Sequence, residues 1–149
     1  MSTRSRIGVV NSDGTVDSVY CHYDGHLRHV GQTLVDHYTD DSKLHQLIAL
    51  GDLKSLGREL GQKHCYYITT DEVCTFFGRD GNYLYTESVH HDDVEDFMLL
   101  SEEYNYLFFY GRWMVYQEEA SGWRQVTESM TKVDLMLADA QACRNEIPA

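Results

Sequence analysis

Residues 6–22, Arg6-Ile-Gly-Val-Val-Asn-Ser-Asp-Gly-Thr-Val-Asp-Ser-Val-Tyr-Cys-His22, set how this chain begins to fold. Two β-rich runs, 6–10 and 16–22, flank Asn11-Ser-Asp-Gly-Thr15. Asp13-Gly14 inside that linker is a hairpin signal, because glycine reaches positive φ at no steric cost. In the second run Val16, Ser18 and Tyr20 share one side, and Asp17, Val19 and Cys21 the other. That period of two marks a strand. The strand runs straight into Tyr20-Cys21-His22-Tyr23-Asp24-Gly25-His26, which gathers a thiol, two imidazoles, two phenols and a carboxylate around one glycine. Such a strand-to-helix turn is either a helix-capping turn or a binding site.

Further along, Leu27, Val30, Leu34 and Tyr38 recur at helical spacing, so a helix over about 27–38 is expected, with Asp24 or His26 as its cap. A second helix, 42–50, follows from Asp40/Asp41 as N-cap, Leu44, Leu47 and Ile48 as its apolar stripe, and Gly51 as its stop. Asp52 opens an expected third helix through Leu60, with Leu53, Leu56 and Leu60 inward, ended by Gly61. Runs 64–69 and 73–77 read as strands, 78–81 as a turn, and 82–86 as a continuation of the sheet. Asp92-Asp93 open a short acidic helix to about Ser101. Runs 104–110 and 112–117 form an aromatic hairpin across Gly111. A short strand from Trp123 to about Val126 and a last helix over 128–143, with Met130, Val133, Leu137 and Ala140 inward, complete the reading. The fold expected is α+β: a single domain, 1–149, with a mainly antiparallel sheet built from hairpins and covered by helices on one face.

Composition narrows the function. With 149 residues and 42% hydrophobic side chains the chain can bury a core, and its single proline, Pro148, interrupts no element. Eleven tyrosines suit half-buried sheets and binding surfaces. A net charge of −12 repels phosphate backbones and anionic membranes and favours a basic protein surface. Direct nucleic-acid binding is therefore disfavoured, and no apolar run reaches the ~20 residues of a membrane span. Cys21, Cys65, Cys74 and Cys143 form no Cys-x-x-Cys pair, and the start Met1-Ser-Thr-Arg-Ser-Arg6 carries no apolar signal region. A cytoplasmic setting with reduced thiols is the expectation.

The chemistry-bearing residues point in three directions. From Asp80 to Gly111 there are eight carboxylates (Asp80, Glu87, Asp92, Asp93, Glu95, Asp96, Glu102 and Glu103) and neither lysine nor arginine. Uncompensated charge costs stability, and steering toward a basic partner is its physical benefit, so Glu87, Asp92, Asp93, Glu95, Asp96, Glu102 and Glu103 are candidate partner-binding residues. The alternative is a solvated acidic face. Tyr20, His22, Tyr23, Asp24, His26, Arg79, Arg112 and Trp113 are candidates for a small ligand such as a nucleotide signal. In that reading Tyr20, Tyr23 and Trp113 stack on a base, and Arg28, Arg79 or Arg112 hold phosphate. A metal-dependent enzyme built on Cys21, His22, Asp24 and His26, completed by His90-His91-Asp92-Asp93, is a third reading. The spacing of the eight histidines matches no zinc signature, and neither a Gly-x-Ser-x-Gly elbow nor a phosphate-cradling glycine loop occurs. Cys65 and Cys74 alternate with aromatics, which reads as core. No cofactor, metal or catalytic residue is assigned.

Tyr20-Cys-His-Tyr-Asp-Gly-His26, Val30-Gly31, Leu34, His37-Tyr38 and Leu50-Gly-Asp-Leu53, with Tyr104-Asn-Tyr-Leu-Phe108 and Gly111-Arg-Trp-Met-Val-Tyr116, carry a resemblance. Up to about residue 117 the chain resembles small accessory proteins of tailed bacteriophages and prophages. That set commonly has a proline after the aromatic that follows Asp-Gly, where this chain has Leu27 after His26. The resemblance implies a product made in the host cytoplasm that acts by binding a host or anti-phage defence component. It brings no catalytic residues. Homodimerisation through 104–117 is compatible with each reading.

Overall fold

A computed structural model describes residues 2–117, 124 and 125. The chain forms β1 (Ser5–Val10) and β2 (Val16–Cys21), a π-helical turn (Leu27–Gly31), α1 (Gln32–His37), α2 (Asp41–Ala49), β3 (Leu53–Ser55), β4 (Thr75–Phe76) and α3 (Phe77–Gly81). It continues through β5 (Val89–His91), α4 (Val94–Met98), β6 (Tyr104–Phe109), β7 (Arg112–Gln117) and β8 (Arg124–Gln125). The strands make one eight-stranded sheet in the order β4-β3-β2-β1-β6-β7-β8, with β5 also on β2.

The α+β class holds, but the sheet is mixed rather than mainly antiparallel. The hairpins β1–β2 and β6–β7 are antiparallel as expected, whereas β1 pairs with β6 in parallel over Ser5–Val9 and β2 joins β3 in parallel at Cys21 and Leu53. Parallel neighbours need a long crossover, and the β1–β6 crossover contains most of the chain. No local turn signal can announce it. The 104–117 hairpin turns at Tyr110 and Gly111, with φ of 48° and 77°.

Helices cover both faces, not one. Ile7, Val9, Val19, Cys21, Tyr106, Phe108, Trp113 and Val115 alternate onto the face packed by Val30, Leu34, Tyr38, Leu44, Leu47 and Ile48. Val16, Leu107, Phe109 and Met114 face the other way, under Val94 and Phe97 of α4. A Cβ at Gly8 would stand 2.9 Å from the Phe97 ring, so the absence of a side chain there lets α4 sit down on the sheet.

Several expected elements change. The helix over 27–38 begins as the π-helical turn, and its start is held by backbone: Val30 N–H donates to the Asp24 carbonyl at 3.2 Å, with no side-chain cap from His26. α2 matches its expected span, with Asp40 accepting from the Ser42 N–H and Gly51 at φ +91°. The expected helix from Asp52 to Leu60 is β3 and an extended segment. Leu53 and Lys54 carbonyls accept from the His22 and Tyr23 N–H groups, and the Glu59 N–H and carbonyl bond to Glu72 and Cys74. Residues 64–69 and 82–86 are loops rather than strands, and 73–77 shrinks to β4. The turn at 78–81 lies within the short α3. Cys65 is exposed, against the core position expected, while Cys74 is buried; both are free thiols, as is Cys21. The strand start at Trp123, the helix over 128–143 and Cys143 lie outside the described residues.

The outer edge of β2 is divided. β5 occupies Val16–Ser18 and β3 begins at Cys21. Between them the Tyr20 N–H donates to the Asp52 carboxylate at 2.9 Å.

Candidate functional site

β2 delivers Tyr20, and the residues just beyond it deliver His22 and Tyr23, to one end of the sheet. Three distant segments meet them there. Tyr20 Oη and His22 Nδ1 share a hydrogen bond of 2.7 Å, and the His22 ring lies 4.8 Å from Tyr23 and 6.3 Å from Phe77. Phe77 continues to Tyr83 at 5.4 Å and to Tyr66 at 6.1 Å, and Tyr66 to Tyr67 at 5.3 Å, giving one connected cluster of rings. Tyr67 is 84% exposed, Tyr83 53% and Tyr23 38%, so the cluster is a surface feature. Lys54 Nζ stands 4.0 Å from the Tyr66 centroid and donates to the Tyr66 carbonyl at 3.0 Å, and makes no ion pair among the described residues. Burial, then Arg4 and Lys54, lowers the His22 pKa. Burial, then Tyr83, pushes the Tyr66 phenol up to about 12. His22 and Tyr66 are therefore neutral near pH 7 and offer faces and hydrogen bonds, while Lys54 supplies the charge.

Beside the rings lies a cleft of about 430 Å³ whose lining includes Tyr23, Asp24, His29, Lys54, Tyr67 and Asp71. Asp24 sits in the left-handed region at φ 55°, and the following Gly25 packs against the backbone of Thr3, so the chain reverses there. The π-helical turn then brings His29 round, where Nε2 meets Asp71 Oδ1 at 3.0 Å. π-helical turns recur at functional sites.

The other candidate ligand residues go elsewhere. Trp113 is 2% exposed; it packs on Phe108 and donates its indole N–H to the Tyr38 carbonyl at 3.1 Å. It presents no free face for a base. Arg79 spends its guanidinium inside the molecule. Nη1 donates to the Leu60 and Gly61 carbonyls, Nη2 to the Cys74 carbonyl at 3.0 Å, and Nε to Asp80 at 3.1 Å. The anion Arg79 meets is thus Asp80, whose side chain is fully buried. Burial alone would raise the Asp80 pKa, but Arg79 and the Phe76 and His64 N–H groups reverse this and hold it below the usual carboxylate range. Arg112 lies at the opposite end of the sheet, beside the 110–111 turn. His26 faces His29 at 6.3 Å rather than Tyr23.

Cys21 is fully buried in the core, and its thiol is pushed up to about 12 by burial and by Cys74. It does not join His22, Asp24 and His26 at the surface. Among the described residues no group of three or more His, Cys, Asp or Glu side chains is placed to hold a metal ion.

The acidic segment runs from before β5 through α4 and the residues beyond it. Glu87, Asp92, Asp93 and Glu95 are exposed, and no lysine or arginine among the described residues pairs with them. Between described residues, lysine and arginine form the ion pairs Lys43–Glu59, Arg58–Glu72 and Arg79–Asp80, all outside 87–103. Asp93 caps α4 through the Asp96 N–H at 2.7 Å, Asp96 accepts from His91, and Glu103 meets the Arg4 N–H. Glu102 adjoins Asn105, whose side chain takes its N–H. Around His90 the segment adds Asp17, paired at 2.6 Å, with Asp13 and Asp92 near enough to raise its pKa further. Leu99 and Leu100, 79% and 43% exposed, border it.

Sequence reasoning missed Lys54, Tyr66, Phe77 and Tyr83; the excess of tyrosine was the signal that could have pointed to them. No helix among the described residues is long and apolar enough to cross a membrane. The chain matches no family model, and no curated protein or solved structure shows significant similarity to it.

Proposed function

We propose that this chain is a non-enzymatic bacteriophage accessory protein that acts in the host cytoplasm by binding, and so inhibiting, a host or defence protein with a basic surface. One observation carries the reading: Glu87, Asp92, Asp93 and Glu95, before, between and within β5 and α4, are all exposed and pair with no lysine or arginine among the described residues, and the exposed Leu99 and Leu100 follow α4. Carboxylates left unpaired repel each other in the free protein and attract a basic surface from a distance, while bordering leucines supply apolar contact once docked. The phage setting rests on the resemblance of residues 20–116 alone.

The test is capture from host lysate at about 0.1 M salt, where the Debye length is about 10 Å. A stoichiometric partner is expected, with association slowed about tenfold or more by Asp92→Lys with Glu95→Lys. Absence of any stoichiometric partner, or equal binding by the charge-reversed chain, would overturn the proposal.

A further inference from the structure

The geometry points to the cleft between Tyr23 and Tyr67 as a binding site for a neutral saccharide. Three features of the cleft define its ligand. First, two tyrosines line it, Tyr23, 38% exposed with His22 against its ring, and Tyr67, 84% exposed with Lys54 Nζ 5.5 Å from its centroid. A flat ligand with apolar C–H faces covers them, and removing apolar surface from water is favourable. Second, the polar lining carries both signs. Lys54 keeps N–H donors beyond its bond to the Tyr66 carbonyl, and Asp24 and Asp71 supply acceptors, with the Thr69 hydroxyl beside them. Third, the lining is held in place. The Tyr23 N–H donates to the Lys54 carbonyl at 3.1 Å, the Lys54 ammonium is set over Tyr66, and the π-helical turn fixes His29 against Asp71.

These features select among ligand chemistries. A phosphate at Lys54 would share the cleft with the carboxylates of Asp24 and Asp71, on a chain of net charge −12. A cation would meet Lys54, which already occupies the face of Tyr66. A wholly apolar ligand would strand the carboxylates and the ammonium without partners, which is costly. A sugar ring has C–H faces that lie on the tyrosines and hydroxyls that both donate to carboxylates and accept from the ammonium. The cleft volume of about 430 Å³ lies within the range of small-ligand sites. This inference does not depend on the acidic surface, whose residues lie on other elements.

The experiment is a titration of the labelled full chain, followed by NMR, with glucose, galactose, mannose and N-acetylglucosamine and their short oligomers. AMP and choline serve as the anionic and cationic comparators. At least one saccharide is expected to shift the resonances of Tyr23, Lys54 and Tyr67 saturably. Tyr67→Ala and Asp24→Asn, the latter chosen because asparagine also tolerates positive φ, should each weaken that binding about tenfold or more, with the rest of the spectrum unchanged. No saturable shift with any saccharide, tighter binding of AMP or choline than of every saccharide, or unaltered affinity in both variants would overturn the assignment.

Discussion

Among the described residues, eighteen buried side chains around Ile7, Leu34, Leu47 and Phe76 close into a single, largely apolar layer on one side of the sheet. On the other, six of the described residues, around Val16, Phe97 and Met114, share the interior with the Ser18–His91 pair and with Arg6. The first side is sealed by α1 and α2. Among the described residues, the second is held by the short α4 and by polar pins. Ser18 Oγ lies 2.7 Å from His91 Nε2, and His91 Nδ1 lies 3.3 Å from Asp96, while Arg6 Nε and Nη1 are buried and find no acceptor among the described residues. The contrast separates two jobs. The larger layer supplies stability. The smaller one fixes β5 and α4, and with them the acidic surface, through contacts that respond to pH.

Four experiments can break or sharpen that contrast. The largest effect is expected on the sealed side, where Leu47→Ala empties volume from a site with no exposure and should cost about 2–5 kcal/mol in urea unfolding. A loss below that of the polar side would invert the assignment of stability.

A smaller loss, about 1–3 kcal/mol, is expected from Ser18→Ala, which leaves a buried imidazole nitrogen without its partner. The same pair sets a pH dependence. Burial, only partly offset by Asp96 and reinforced by Arg6, holds the His91 pKa below its ordinary value. The unfolded chain takes up a proton near pH 6.5, roughly, while the folded chain resists it. Stability present above that pH is therefore lost as pH falls through it. The urea midpoint should drop less steeply on acidification in His91→Gln than in the unmodified chain; parallel slopes would remove His91 as the cause.

The smallest effect belongs to the outer surface of α4. Glu95→Gln should change stability by no more than about 0.5 kcal/mol, because Glu95 is exposed and makes no ion pair among the described residues. A larger gain would mean that repulsion within the acidic segment is itself a substantial strain on the fold.

What could be read from the sequence divides along a similar line. Both hairpins and α2 were legible because their determinants are local: Asp13-Gly14, Tyr110-Gly111, the Asp40 cap and the Gly51 stop. Residues 52–60 misled because Leu53, Leu56 and Leu60 mimic a helical stripe. What decides that segment is long-range. Leu53 bonds alongside β2, and a Cβ at Gly57 would fall 2.3 Å from the Val73 carbonyl carbon, a close backbone approach that no sequence period encodes. Residues 64–69 have strand composition, yet Tyr66 and Tyr67 spend their rings on the surface cluster and on Lys54. The same reason limited the site. Tyr20, His22 and Tyr23 are neighbours in sequence and stand out, whereas Lys54, Tyr66, Phe77 and Tyr83 join them only through the crossover. Trp113 and Arg79, chosen for their chemistry, are consumed by the interior. The acidic run from Glu87 to Asp96, being local in sequence, was visible at once.

The gap in the pairing of β2, filled by the Asp52 carboxylate at the Tyr20 N–H, has a consequence for self-association. An unoccupied stretch of strand border is a template on which another molecule can add its own backbone. Here the one donor that such a strand would seek is already taken, and the group that takes it carries negative charge toward any newcomer. A short break that would otherwise invite polymerisation is thereby closed by a single side chain.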